Sequence, residues 1–182
     1  PGPVFAMTGL LGGVRQVASP NCDNRPDGEQ VRLLVIHAIS LPPGEFGGDD
    51  VERLFTNSLS SSAHPCYRDI KDLRVSADFF IRRNGDVVQF VPVIERAWHA
   101  GVSSWRGKER CNDFSLGIEV EGCDDKPFES IQYIRLARLI RLLKKQFPIE
   151  EIVGHPDVAP GRKTDPGPCF DWPRLRHLLR RR

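Results

Sequence analysis

The sequence predicts one α/β or α+β domain organised around a mixed β-sheet. Three observations carry that expectation. Short aliphatic runs come first along the chain, two of them flank an Asn-Gly hairpin signal, and a long amphipathic helix follows late. At 182 residues the chain is long enough for one well-buried core and too short for two ordinary domains.

The elements are expected in this order. Residues 1–13 carry no periodic pattern and read as a flexible start. Residues 1–6 precede the only methionine, Met7, and are taken as a remnant ahead of the native start. Residues 31–36 form a buried strand, five of the six being Val, Ile or Leu. Residues 40–48 (Ser-Leu-Pro-Pro-Gly-Glu-Phe-Gly-Gly) are a loop, because prolines and glycines break both helix and ladder. A short helix covers 49–55, and 63–72 is polar and irregular. Segments 77–82 and 86–91 flank Arg83-Asn84-Gly85-Asp86 and pair as a hairpin. Residues 116–121 alternate, with Leu116, Ile118 and Val120 toward the core and Gly117, Glu119 and Glu121 away from it. Residues 131–147 place Ile131, Ile134, Leu136, Leu139, Ile140, Leu142 and Leu143 at helical spacing, ending at Pro148. A second helix over 172–179 has Asp171 as N-cap and Pro173 in its first turn.

Composition excludes several function classes. A net charge of +2 is too small for binding driven by neutralising a nucleic-acid backbone. The basic cluster Arg174, Arg176 and 180–182 reads as a solvated helix face and tail. No apolar run approaches the roughly 20 residues that span a bilayer. Five cysteines, odd in number and without a C-x-x-C pair, argue against a disulfide framework and fit a reducing compartment. No secretory signal pattern is visible, so a cytoplasmic monomer without nucleic-acid or membrane partners is expected.

The chemistry concentrates in Gly154-His155-Pro156-Asp157-Val158-Ala159-Pro160-Gly161-Arg162-Lys163-Thr164-Asp165-Pro166-Gly167-Pro168. It places an imidazole, an ammonium and a carboxylate in a loop held by proline and glycine. Imidazole nitrogen and carboxylate oxygen suit zinc, and three protein ligands with a fourth position for water is the catalytic pattern. His37, after the apolar run, supplies a third ligand beside His155 and Asp165. Singly, each has a structural alternative: a strand-end histidine satisfied by hydrogen bonds, an aspartate capping the Pro166-Gly167 turn. Lys163 is suited to stabilising negative charge. Glu119 is the candidate acid/base, since amide hydrolysis must take a proton from water and deliver one to the leaving nitrogen. An exposed or ion-paired strand glutamate is its alternative reading.

Several blocks resemble the AmpD-type N-acetylmuramoyl-L-alanine amidases. They are Val35-Ile36-His37, the 40–48 loop, Arg74-Val75-Ser76-Ala77, Arg96-Ala97-Trp98-His99-Ala100-Gly101-Val102-Ser103, the block 111–122 and Arg162-Lys163-Thr164-Asp165-Pro166-Gly167-Pro168. The likeness runs in order from about Val14 to the C-terminal helix. It implies a central mixed sheet flanked by helices, the fold of phage-type amidases and peptidoglycan recognition proteins, and a single zinc amidase domain over 14–182. It implies zinc on His37, His155 and Asp165, catalysis by Glu119, and an oxyanion held by Lys163. The substrate it implies is a cytosolic 1,6-anhydro-N-acetylmuramyl peptide, cut between the lactyl group and L-alanine during peptidoglycan recycling. Arg74 and Arg110 match positions near the sugar and peptide carboxylates, where guanidinium suits anions. Trp98 matches a position that is either a substrate wall or a packed aromatic.

Two positions depart from the family pattern: Ala38 stands where Asn is usual, and Asp78 where His is usual. Neither is a proposed ligand, so metal binding is expected to survive and substrate affinity to be the property altered. Asp78 is expected either to add negative charge near the metal or to compete for it. Two rival readings are a recognition module that holds muropeptide without cutting it, and a secreted autolysin acting on polymeric wall. The full ligand set argues against the first. The missing signal and unpaired cysteines argue against the second.

Overall fold

Strands apolar on both faces belong inside a covered parallel sheet, and the two seven-residue strands of this chain sit there. The computed structural model describes residues 2–181; Pro1, in the expected remnant, and Arg182, the last of the basic cluster, lie outside the described residues. In chain order the strands and helices are β1 (Arg15–Gln16), β2 (Cys22–Asn24), β3 (Leu33–Ile39), α1 (Asp50–Phe55), β4 (Phe79–Ile81), β5 (Val87–Gln89), β6 (Glu95–Ala97), β7 (Ser104–Trp105), β8 (Lys108–Glu109), β9 (Ser115–Glu121), α2 (Ser130–Gln146), β10 (Glu151–Gly154), α3 (His155–Val158) and α4 (Trp172–Arg180).

The main sheet has six strands in the order β1-β5-β4-β9-β3-β10. It is mixed: β4 and β5 pair antiparallel, and the other neighbours pair parallel. One face packs Leu34, Ile36, Phe79, Ile81, Leu116 and Ile118 against α2 and α4. On the other face, Phe80 and Val88 pack against Phe55 and Tyr67, while Val35 and Leu33 meet Phe114 and Val158. The expected mixed sheet flanked by helices is the observed one.

The strand expected at 31–36 starts later, at Leu33, and runs further, through His37 to Ile39, because parallel partners on both sides carry the ladder past the apolar composition. The hairpin forms as expected. Gly85 has φ +88°, and a Cβ there would lie 2.5 Å from Ile131 Cγ1, so the turn demands glycine. α2 is capped by Glu129, whose backbone N–H in turn donates to Gln132 Oε1. Its buried stripe is Tyr133, Leu136, Leu139, Ile140 and Leu143, and Ile134, expected in it, is exposed. The helix stops at Phe147, held extended by Pro148. Asp171 accepts the Arg174 N–H and caps α4, as expected.

Two expectations are corrected. The start of the chain, read as flexible, carries fixed contacts. Leu11 is buried, the buried Gln89 amide bonds to Leu11 N and Gly9 O, and the Phe5 ring meets Phe79 edge-on. The reason is tertiary: Gln89 offers the segment a buried donor and acceptor that local sequence does not reveal. Secondly, Gly117, Glu119 and Glu121 do not face solvent, because β9 is central and its second face is also covered. All five cysteines are free. Among the described residues, no helix is long and apolar enough to cross a membrane.

Candidate metal centre and active site

Three adjacent parallel strands bring the chemistry together. Gly154 of β10 pairs with Ile36 of β3, and His37 of β3 pairs with Glu119 of β9. Residues in register on neighbouring strands project to the same face about 4.8 Å apart. His155, the first residue after β10, therefore falls beside His37, with Glu119 on the other side. Chain reversal supplies the next group. The loop after α3 returns so that the Asp165 carbonyl accepts the His155 N–H at 3.1 Å, which sets the Asp165 carboxylate against both rings.

His37 Nδ1 lies 3.0 Å from His155 Nδ1 and 2.9 Å from Asp165 Oδ2; His155 Nδ1 lies 3.0 Å from Asp165 Oδ1. The two histidines are buried and Asp165 partly so. Tetrahedral zinc with bonds of about 2.0–2.1 Å separates its ligand atoms by about 3.3 Å. The observed triangle is close to that, and its donor set of two imidazoles and a carboxylate suits the same ion. These residues fit a divalent metal. They are the three that the sequence nominated.

The electrostatics follow from burial. Burial lowers the His37 imidazole from its ordinary value, with the Asp165 hydrogen bond opposing. Burial alone would raise the Asp165 carboxyl, but the hydrogen bonds to His155 and His37 overcome it and hold it well below the usual range. Glu119 is the reverse case. Burial pushes it well above the usual carboxylate range, the Asp165 charge adds to that, and the Lys163 ammonium opposes it. Its Oε2 is buried without a hydrogen-bond partner among the described residues. Such a desolvated carboxyl, in a cluster of titratable groups, is suited to taking up and passing on a proton. Lys163 itself is exposed, and its charge reaches Glu119 and His37 from the rim.

The other nominated residues have contacts elsewhere. Arg74 is exposed, with one hydrogen bond, to the neighbouring Leu73 carbonyl. Arg110, also exposed, pairs with Asp113 at 3.2 Å and lines a cleft of about 580 Å³ with Gly101, Ser103 and Arg162. Trp98 donates its indole N–H to Asp23 at 3.2 Å. Ala38 lines an open cleft of about 760 Å³ with Ser40, Gly44 and Asp124. Asp78 is fully buried: Oδ2 accepts the Gly117 N–H at 2.8 Å, and Oδ1 has no partner among the described residues. It is outside the metal-ligand triangle.

Sequence reasoning missed His99. It is buried, with Nδ1 2.9 Å from His37 Nε2 and Nε2 3.0 Å from Ser115 Oγ. Burial, and then the neighbouring His37 and His155, keep it well below the ordinary imidazole value. Room for its ring comes from Gly117, where a Cβ would sit 2.4 Å from His99 Cγ. The available signal was the glycine interrupting a β-branched strand two residues before a candidate acid/base, which marks a close approach.

The chain is similar to known proteins in both sequence and fold. The model of the family described as N-acetylmuramoyl-L-alanine amidase matches residues 27–168. The Escherichia coli (strain K12) protein 1,6-anhydro-N-acetylmuramyl-L-alanine amidase AmpD is 54% identical over 173 residues, covering 94% of this chain and 94% of its own. The AmpD of Haemophilus influenzae is 48% identical over 169 residues, covering 91% and 92%. A crystal structure of a selenomethionine AmpD derivative superimposes with a TM-score of 0.94 at 52% identity, over 97% of this chain and 99% of that one. The E. coli amidase AmiD, solved with anhydro-N-acetylmuramic acid-L-Ala-D-γ-Glu-L-Lys as its substrate, matches at a TM-score of 0.60 and 29% identity, over 97% and 65%. With a sheet that aligns two histidines and a glutamate, and relatives this similar over nearly its whole length, the chain belongs to the N-acetylmuramoyl-L-alanine amidase family.

Proposed function

We propose that this chain is a zinc-dependent amidase that hydrolyses the lactyl–L-alanine amide of 1,6-anhydro-N-acetylmuramyl peptides in peptidoglycan recycling. One observation carries it: His37 Nδ1, His155 Nδ1 and the Asp165 carboxylate converge beside Glu119, in register on the adjoining strand. The relatives carrying that activity in their names match 94% and 91% of the chain. On this reading residues 14–182 are one amidase domain, acting as a monomer in the cytoplasm on a small muropeptide.

His37, His155 and Asp165 hold the metal. Zinc, when bound, supplies Lewis acidity and a water whose pKa falls to about 7. Glu119 takes the proton of the attacking water, which its desolvated carboxylate favours, and returns it to the departing L-alanine amine. Lys163 places its ammonium at the rim, where the amide oxygen gains negative charge. Arg74 and Arg110 receive the anionic groups of the sugar and stem peptide, and Trp98 flanks them. Ala38 leaves the cleft wall without a polar donor, which lowers substrate affinity and leaves the metal in place.

The test is incubation with 1,6-anhydro-N-acetylmuramyl peptide and mass-spectrometric detection of released peptide, with metal content measured alongside. Glu119→Ala should abolish release while zinc stays near one per chain. Full activity in that variant, or none in the zinc-loaded wild-type protein, would overturn the proposal.

A further inference from the structure

The hydrogen atoms around His37 can be assigned from the far end of a buried chain of contacts. Ser115 Oγ lies 2.5 Å from the Cys111 carbonyl. A carbonyl has no proton to give, so the single hydroxyl hydrogen of Ser115 goes there. At its other contact Ser115 can only accept, so His99 Nε2 carries a hydrogen and donates to it across 3.0 Å. A neutral imidazole carries a single hydrogen, so with Nε2 as donor the Nδ1 of His99 is a bare acceptor. His37 Nε2, 2.9 Å away, must then be the donor. A neutral His37 with hydrogen on Nε2 presents a free lone pair at Nδ1, the atom that faces His155 and Asp165.

His155 reaches the same state by a shorter route. Its Nε2 donates to the Ala100 carbonyl at 3.2 Å, freeing Nδ1. The backbone that carries both Ala100 and His99 is fixed by Asn112, whose Oδ1 accepts both of their N–H groups at 2.9 and 3.1 Å. With a metal bound, the two lone pairs and the Asp165 carboxylate point at that one centre, in place of the hydrogen bonds the three groups share without it.

We propose that His99, terminated by Ser115 and the Cys111 carbonyl, is a positioning residue that sets the tautomer of His37 and aims its Nδ1 at the metal. This rests on the reading of His37 as a ligand. Outer partners of ligating histidines are typically worth about 10–100-fold in metal affinity.

The experiment uses the full chain and zinc itself as the probe. In ¹⁵N-labelled zinc-loaded protein, long-range ¹H–¹⁵N spectra should show hydrogen on Nε2 of His99. Competition against a chromophoric chelator should show His99→Ala binding zinc about 10–100-fold more weakly. His99→Asn, whose side-chain oxygen stands where Nδ1 was, should recover most of that loss. Ser115→Ala, a smaller change that keeps both rings, should weaken zinc and broaden His99 toward a mixture of tautomers. Hydrogen on Nδ1 of His99 in the wild type, or wild-type affinity in either His99→Ala or Ser115→Ala, overturns the proposal. His37→Ala separates the two levels: retention of stoichiometric zinc in that variant sinks the ligand reading itself, whereas unchanged affinity in His99→Ala alone sinks only the relay.

Discussion

Replacing Asp78 by Asn should change how stability depends on pH. Asp78 is fully buried, and burial pushes its carboxyl up to about 7, against the Gly117 N–H and the Arg25 guanidinium, which act to lower it. In the unfolded chain the group titrates near 3.8. The folded protein therefore holds this proton more tightly than the unfolded one. Its stabilising contribution is complete below about pH 3.8 and is lost as pH rises through about 7. A gap of roughly three pH units at 1.36 kcal/mol each makes that loss about 4 kcal/mol at most. Asn keeps an oxygen for the Gly117 N–H and does not titrate. The assay is urea unfolding of both proteins at intervals from pH 4 to 8. The difference between them isolates this one group, because carboxyls held low in the fold, such as Asp23 and Asp50, titrate identically in both. Wild type should lose stability relative to Asp78→Asn across the range, most steeply between pH 4 and 7. A difference that stays constant to within about 1 kcal/mol, less than one pK unit, refutes the assignment of a desolvated acid at this position.

Two further outcomes follow from the site. Lys163→Ala should lower kcat by about 10²–10³-fold, the usual loss for one oxyanion donor, while metal content and the melting temperature hold; steady-state kinetics with metal analysis checks this. Stripping the metal with a chelator should lower the melting temperature as well as activity, because ligand present at 1,000 times its Kd adds about 4 kcal/mol to the native state. The same treatment should leave His37→Ala unmoved in a thermal scan. An equal shift in both proteins would place the metal elsewhere.

What local chemistry specifies was legible in the residues. The Asn-Gly turn, the amphipathic stretch of α2 and the Asp171 cap depend on contacts within a few positions. Their elements appear close to where the pattern puts them. His37, His155 and Asp165 were legible as a donor set because metal chemistry restricts which side chains can serve and the loop around two of them is short. Packing across the sheet was not legible. Alternation in 116–121 gives a period but not the number of covered faces, so Glu119 read as outward-facing until β4 and β3 were seen on either side of β9.

His99 was hidden for a related reason: its partners are His37, 62 residues away, and Ser115, 16 away, and no local pattern records such contacts. Gln89, holding the first residues of the chain at a distance of 78 to 80 positions, is the same case. The sequence by itself determined the kinds of element and the kinds of ligand, because backbone propensity and donor chemistry belong to individual residues and their neighbours. Only the tertiary structure decided strand order, and with it which carboxylate loses its water and which nitrogen of each histidine faces Asp165. Desolvation and hydrogen-bond direction are properties of the whole packed neighbourhood, and that neighbourhood comes from distant parts of the chain.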